Sequence, residues 1–199
     1  MAVRAGAIRE GLVKQVHRRW RCYPDSRMDS CAGVFIEFSV RKLGQLSGRI
    51  QDCLNRLTED QIWARGGESE NAAGNLVLHL SGNVRQWIVS AVGGVPDIRQ
   101  RDEEFAARGG VPGAELAAVL KKAVADAGAV IEALSPERLT ERIHVQGYDV
   151  TVLEAIYHVV EHFAGHTGQI IYATKLLTGK DTAYYQHLKK AAEHAERTP

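Results

Sequence analysis

Apolar residues recur at helical spacing through four long stretches of this sequence, and no other regular pattern runs further than a few residues. The clearest lies between Gly113 and Leu134. There Leu116, Val119, Leu120, Ala123, Ala127, Val130, Ile131 and Leu134 make one stripe. Leu46, Ile50, Cys53 and Leu57 mark a first helix over Gly33–Leu57. Leu76, Leu80, Val84, Trp87 and Ile88 mark a second over Asn71–Val92, stopped by Gly93-Gly94 and Pro96. The fourth spans Val152–Leu177, opened by the capping box Thr151-x-x-Glu154 and ended at Thr178-Gly179. Trp63, Trp87 and Tyr157 read as core aromatics rather than as a ligand cage.

A helix with one apolar stripe must bury it against another element, so four such helices predict an all-α bundle. Shorter features lie between them. Thr58-Glu59-Asp60-Gln61 has capping-box form and predicts a short helical turn, ended by Gly66-Gly67. Arg99 to Arg108 reads as a charged linker. Ile143 and Val145 flank His144, and Gln146-Gly147 follows, which predicts a small hairpin before the last long helix. A final short helix is expected over Thr182–Ala195.

Charge divides the chain unevenly. Residues 1–27 carry seven bases against two acids, net +5, which leaves −4 on the remainder. Residues 1–30 are therefore expected to be a basic, poorly ordered extension and residues 31–199 the folded domain. The head lacks the apolar run and small-residue cleavage site of a secretory signal. Net charge over 199 residues is only +1, which argues against a dedicated nucleic-acid partner. No run of 18 apolar residues exists, so no membrane span is expected. Three cysteines without a close pair suit a reducing compartment, and a cytoplasmic location is expected.

The chemistry concentrates in His158-x3-His162-x3-His166 on the fourth helix. Residues four apart differ by about 40° around the axis, so the three imidazoles share one face. Two imidazoles at i and i+4 can hold one metal ion. Ala155, Gln169 and Ala173 fall within about 20° of His162, which turns the row toward the core, where unpaired polar groups are costly. On the second helix His79 sits in Asn75-Leu76-Val77-Leu78-His79-Leu80, and Asn75, Asn83, Gln86 and Ser90 fall within about 40° of it. A polar stripe facing a histidine row suggests a wet pocket, which Asn75, Asn83, Gln86 and Gln169 would line. Glu161 and Glu154 are candidates to orient a histidine, though exposed helical carboxylates are commonly just solvated.

Asn75-Leu76-Val77-Leu78-His79-Leu80-Ser81-Gly82-Asn83 and Glu161-His162-Phe163-Ala164-Gly165-His166-Thr167-Gly168-Gln169-Ile170 resemble the two signature helices of the DinB-like metal-binding superfamily. The resemblance covers about Cys31 to Lys180. It implies an up-and-down four-helix bundle that often dimerises, with metal ligands His79, His162 and His166. His158 is then an extra histidine that packs, lines the cavity or substitutes for a ligand. Some members of that superfamily are thiol-dependent transferases, so the resemblance implies a divalent metal (zinc or nickel), a low-molecular-weight thiol and a small electrophilic substrate. A metal-dependent hydrolase and a non-catalytic, stress-associated bundle with a structural metal stay open beside it. Three neutral imidazoles would leave a metal with open positions, whereas a structural zinc site commonly has four protein ligands.

Residues 1–27 are expected to be dispensable. A chain beginning at Met28 should melt cooperatively within a few degrees of the full chain. Insolubility, or a large fall in melting temperature, would show that the head belongs to the fold.

Overall fold

The computed structural model describes residues 30–186 and 188, so the expected head over residues 1–27 lies outside them. Backbone contacts divide the chain into residues 1–35 and 36–199. In the first unit the Ser30 hydroxyl accepts the Gly33 amide, a side-chain cap 3.0 Å long.

Among the described residues there are four long helical segments: α1 (Cys31–Arg56), α3 (Ala73–Val84, prolonged by a π-helical segment Arg85–Val92), α5 (Gly113–Glu132) and α6 (Val152–Thr178). Two short helices join them, α2 (Glu59–Ile62) and α4 (Arg101–Ala106). A 3₁₀ turn over Pro136–Thr140 leads into β1 (Arg142–Val145) and β2 (Tyr148–Thr151). Among the described residues the fold is all-α, with one two-stranded sheet. None of the described helices is long and apolar enough to cross a membrane.

Local chemistry explains most of the boundaries. The Thr58 hydroxyl accepts the Gln61 amide while Gln61 reaches back to the Thr58 amide, which starts α2. Thr151 and Glu154 do the same for α6, and Gly179 in the left-handed region ends it. Glu154 is thus a cap and is not turned to the histidines. β1 and β2 pair antiparallel with Val145 opposite Tyr148. Gln146 and Gly147 both take positive φ (53° and 83°), the backbone a two-residue hairpin turn requires.

Three elements depart from the expected pattern. The linker after Pro96 contains α4, whose first turn holds Asp102, Glu103 and Glu104, where acids favour the helix dipole. The second long helix widens after Val84 into π geometry, with the Gly93 amide reaching back five residues to the Ile88 carbonyl. Tyr157, expected in the core, is 62% exposed. The short helix expected over Thr182–Ala195 falls largely outside the described residues.

The core follows the stripes. Leu46, Ile50, Cys53, Leu80, Val84, Trp87, Ile88, Leu116, Leu120 and Ile131 are all buried. Among the polar residues buried with them are Asn75, His79, Asn83 and Glu104. Val119 belongs to the same sequence stripe as Leu120 yet is 41% exposed, because the stripe is wider than the buried contact. Leu80→Ala, at a site with no exposed surface, should cost about 3 kcal/mol in denaturant unfolding. Val119→Ala should cost about 0.5 kcal/mol or less. Equal costs would contradict this placement of α3 and α5.

Candidate metal centre

Three histidines from two helices converge. One ring nitrogen from each of His79, His162 and His166 lies within 4.8 Å of the others, close enough to share an ion. His79 Nε2 and His162 Nε2 are 2.9 Å apart. Two bare lone pairs at that distance repel, so the pair calls for a proton or a cation between them. The His166 ring stands edge-on to both, its centroid 5.1 Å from His79 and 4.5 Å from His162. His79 is buried, and His162 and His166 are half-buried.

Two of the opposite ring nitrogens are already engaged. His166 Nδ1 lies 2.7 Å from Gln169 Oε1. A carbonyl oxygen only accepts, so Nδ1 is the donor and Nε2 keeps its lone pair. His79 Nδ1 lies 3.1 Å from Glu104 Oε2. Arg99 binds both oxygens of that carboxylate, Nε to Oε1 at 2.7 Å and Nη2 to Oε2 at 2.8 Å. The Arg99 and Glu104 side chains are only 3% and 10% exposed.

Burial keeps the His162 and His166 rings neutral. Burial pushes His162 down to about 3, and the neighbouring His166, His79, His158 and Arg99 add to the effect. Burial also lowers His166, partly opposed by its bond to Gln169. Burial works against ionised Glu104, but hydrogen bonds from Arg99 and His79 outweigh it and hold the carboxyl below its ordinary range. Neutral imidazoles present lone pairs, which is the state a metal needs.

The remaining candidate residues have other places. Asn75 is fully occupied. Its Oδ1 accepts Arg65 Nη2 (2.6 Å) and the Ala72 amide, and its Nδ2 donates to the carbonyls of Glu104 (2.8 Å) and Ala107 (2.9 Å). It therefore clamps α4 rather than lining a pocket. Gln86 sits past the point where α3 widens, so a uniform helical wheel misplaces it. It accepts Arg99 Nη1 and donates to Asp97. His158 packs on Trp87, ring centroids 4.2 Å apart, and stacks 5.5 Å from His162. Among the described residues it is outside the group close enough to share an ion. Glu161 is exposed and near enough to His158 to oppose the fall in that ring's pKa. Asn83 is buried one turn beyond His79, and its Oδ1 has no hydrogen-bond partner.

Sequence reasoning missed Glu104, Arg99 and Phe105, whose ring lies 4.7 Å from that of His79. Glu104 stands 25 positions from His79 in an acidic run that looks solvated, and nothing local marks it as the buried member. The one available signal was Phe105, an apolar residue in a charged segment.

The donor set fits a divalent ion. Three imidazoles, two of them held by Nδ1 acceptors, and an orphaned buried oxygen one turn away suit a borderline metal that keeps open positions.

Solved structures give the fold. A conserved protein from Enterococcus faecalis superposes with a TM-score of 0.60 at 17% identity, covering 72% of this chain and 97% of that one. The DinB-like protein YjoA from Bacillus subtilis gives 0.57 at 16%, covering 74% and 96%. A DinB-like protein from Bacillus cereus ATCC 10987 gives 0.58 at 13%, covering 71% and 91%. At such identities the likeness establishes the fold, a DinB-like helical bundle. The family described as "Protein of unknown function (DUF1572)" matches residues 30–189, and the chain belongs to it. Comparison with curated proteins finds no match.

The depressed histidine has a signed consequence. Without metal, the unfolded chain takes up a proton near pH 6.5 that folded His162 refuses until about pH 3. Its contribution to stability is therefore complete above about 6.5 and is lost as pH falls through that window. Chelator-treated protein should lose stability from pH 6.5 downward, and more gradually in His162→Gln. Denaturant unfolding at a series of pH values reads the slope, and equal slopes would contradict the burial described.

Proposed function

We propose that the chain holds one divalent ion on His79, His162 and His166 and uses it to transfer a low-molecular-weight thiol to a small electrophile. The observation that carries the reading is the convergence of three imidazoles within 4.8 Å, two of them fixed by acceptors at Nδ1. Among the described residues no fourth protein donor joins them. A bound zinc or nickel ion would supply Lewis acidity, lowering the pKa of a thiol at its open position.

The chain's own residues then position the reactants. Gln169 and Glu104 hold the His166 and His79 rings against rotation. His158 and Trp87 form an aromatic wall beside His162. The buried, unpaired Asn83 Oδ1 offers an acceptor to an N–H of a polar thiol cofactor. In the transfer a sulfur–carbon bond forms as the bond from carbon to the leaving group breaks. The leaving group departs with that electron pair, and the thiol proton passes to solvent.

The reading includes a cytoplasmic homodimer. Leu153, Tyr157, Tyr172 and Leu176 leave apolar surface exposed on α6. Gly165 and Gly168 lie between them, and a Cβ added at either would meet nothing within 4 Å. A second copy could approach closely along that stretch.

Purified protein should bind about one divalent ion per chain. His79→Ala, His162→Ala and His166→Ala should each lose it, and His158→Ala should keep most of it. Elemental analysis decides, and full occupancy in all three ligand variants would sink the assignment. Metal-dependent conjugation of a panel of thiols to a generic electrophile, absent in His162→Ala, would support transfer. Stoichiometric metal with no turnover for any thiol would favour a non-catalytic metal centre.

A further inference from the structure

Glu104 lies outside the metal-binding group, yet everything around it is arranged to hold its carboxylate against His79. Its carbonyl oxygen accepts Asn75 Nδ2 at 2.8 Å, which anchors the backbone of α4 to α3. Its side chain is clasped by both Nε and Nη2 of Arg99. Arg99 is held in turn by Gln86 Oε1 at 2.9 Å, and its amide donates to Asp97. Gly82 supplies the space. A Cβ there would collide with Glu104 Oε1 and come within 2.9 Å of Arg99 Nε. Asn75, His79 and Gly82 stand at i, i+4 and i+7, so one face of α3 provides the clamp, the imidazole and the gap.

We infer that Glu104 is a positioning residue for the metal centre: its Oε2 takes the Nδ1 proton of His79, which turns Nε2 toward His162 and His166 as the ligating nitrogen. The inference rests on the proposed metal reading. Arg99 Nη2 is also 3.1 Å from His79 Nδ1. A bare Nδ1 would accept that N–H but set its own lone pair against the Glu104 carboxylate 3.1 Å away. A protonated Nδ1 donates to Oε2 beside Arg99, and this is the tautomer inferred. Rotating the ring, or moving the proton to Nε2, would break the bond to a carboxylate that has almost no water to replace it. The clasp therefore selects one tautomer and one ring orientation before any metal arrives, and such outer partners typically contribute 10–100-fold to metal affinity.

The test uses the full chain with Glu104→Gln, Glu104→Ala and Gly82→Ala. The last keeps the charge and displaces the carboxylate. Metal-free protein, with histidine labelled by nitrogen-15, should show His79 protonated at Nδ1. All three variants should shift it toward a mixture of tautomers while retaining the helical circular dichroism of the parent. Competitive zinc titration should show affinity falling roughly 10–100-fold in each, and the visible spectrum of the cobalt-loaded protein should change. Arg85→Ala, on the same helix but bonded to Asp126, should change none of these.

If the parent and Glu104→Gln bind zinc equally while His79→Ala loses it, the inference fails and the metal reading stands. If the parent binds no zinc, both fail. Metal-free parent protein with His79 protonated at Nε2 would overturn the inference on its own.

Discussion

The short helix α4 is fastened to one face of α3, and the histidine cluster depends on that joint. Asn75 takes two carbonyls of the α4 segment, those of Glu104 and Ala107. Arg65 adds Nη2 bonds to Asn75 and to the carbonyls of Phe105 and Ala107. These bonds satisfy the C-terminal carbonyls of a six-residue helix that is too short to persist alone. With α4 held, Glu104 and Phe105 reach His79, and the ring is boxed on one side by a carboxylate and on another by an aromatic face. Lose the joint and His79 Nδ1 loses its carboxylate partner.

That joint encloses a buried ion pair. Arg99 and Glu104 have left water almost completely, and the desolvation cost of such a pair commonly rivals its attraction. Stability alone is therefore a weak explanation for it. Two apolar residues of similar volume would pack as well, but they would offer nothing to a histidine Nδ1. The geometry gives the pair a use that packing does not, because a carboxylate that also receives an imidazole N–H decides which nitrogen faces the other two rings.

The π-helical segment Arg85–Val92 belongs to the same arrangement. Widening the helix after Val84 turns the following side chains away from the positions that 100° per residue would assign. Trp87 is then buried against His158, with its indole N–H on Gln146 of the hairpin turn. Gln86 is left to brace Arg99. Irregular turns of this kind recur near functional sites because they re-aim side chains without ending the helix.

Much of this was legible from the residues in order. Helical periodicity, the two capping boxes, the Gln146-Gly147 turn and the glycine stops are local properties, each decided by neighbours within about four positions, so they were readable as a bundle with one small hairpin. The row His158, His162, His166 was readable for the same reason, since spacing alone puts residues four apart on one face. Tertiary structure decided what no local rule reaches. It chose His79 rather than His158 to stand with His162 and His166, because α3 brings His79 Nε2 to within 2.9 Å of His162 while His158 is turned onto Trp87. It made Asn75 a clamp, Gln86 a brace and Glu104 the partner of His79. Those roles depend on contacts 13 to 32 residues apart, where burial and geometry rather than pattern determine which charged residue in a solvated-looking segment is taken out of water.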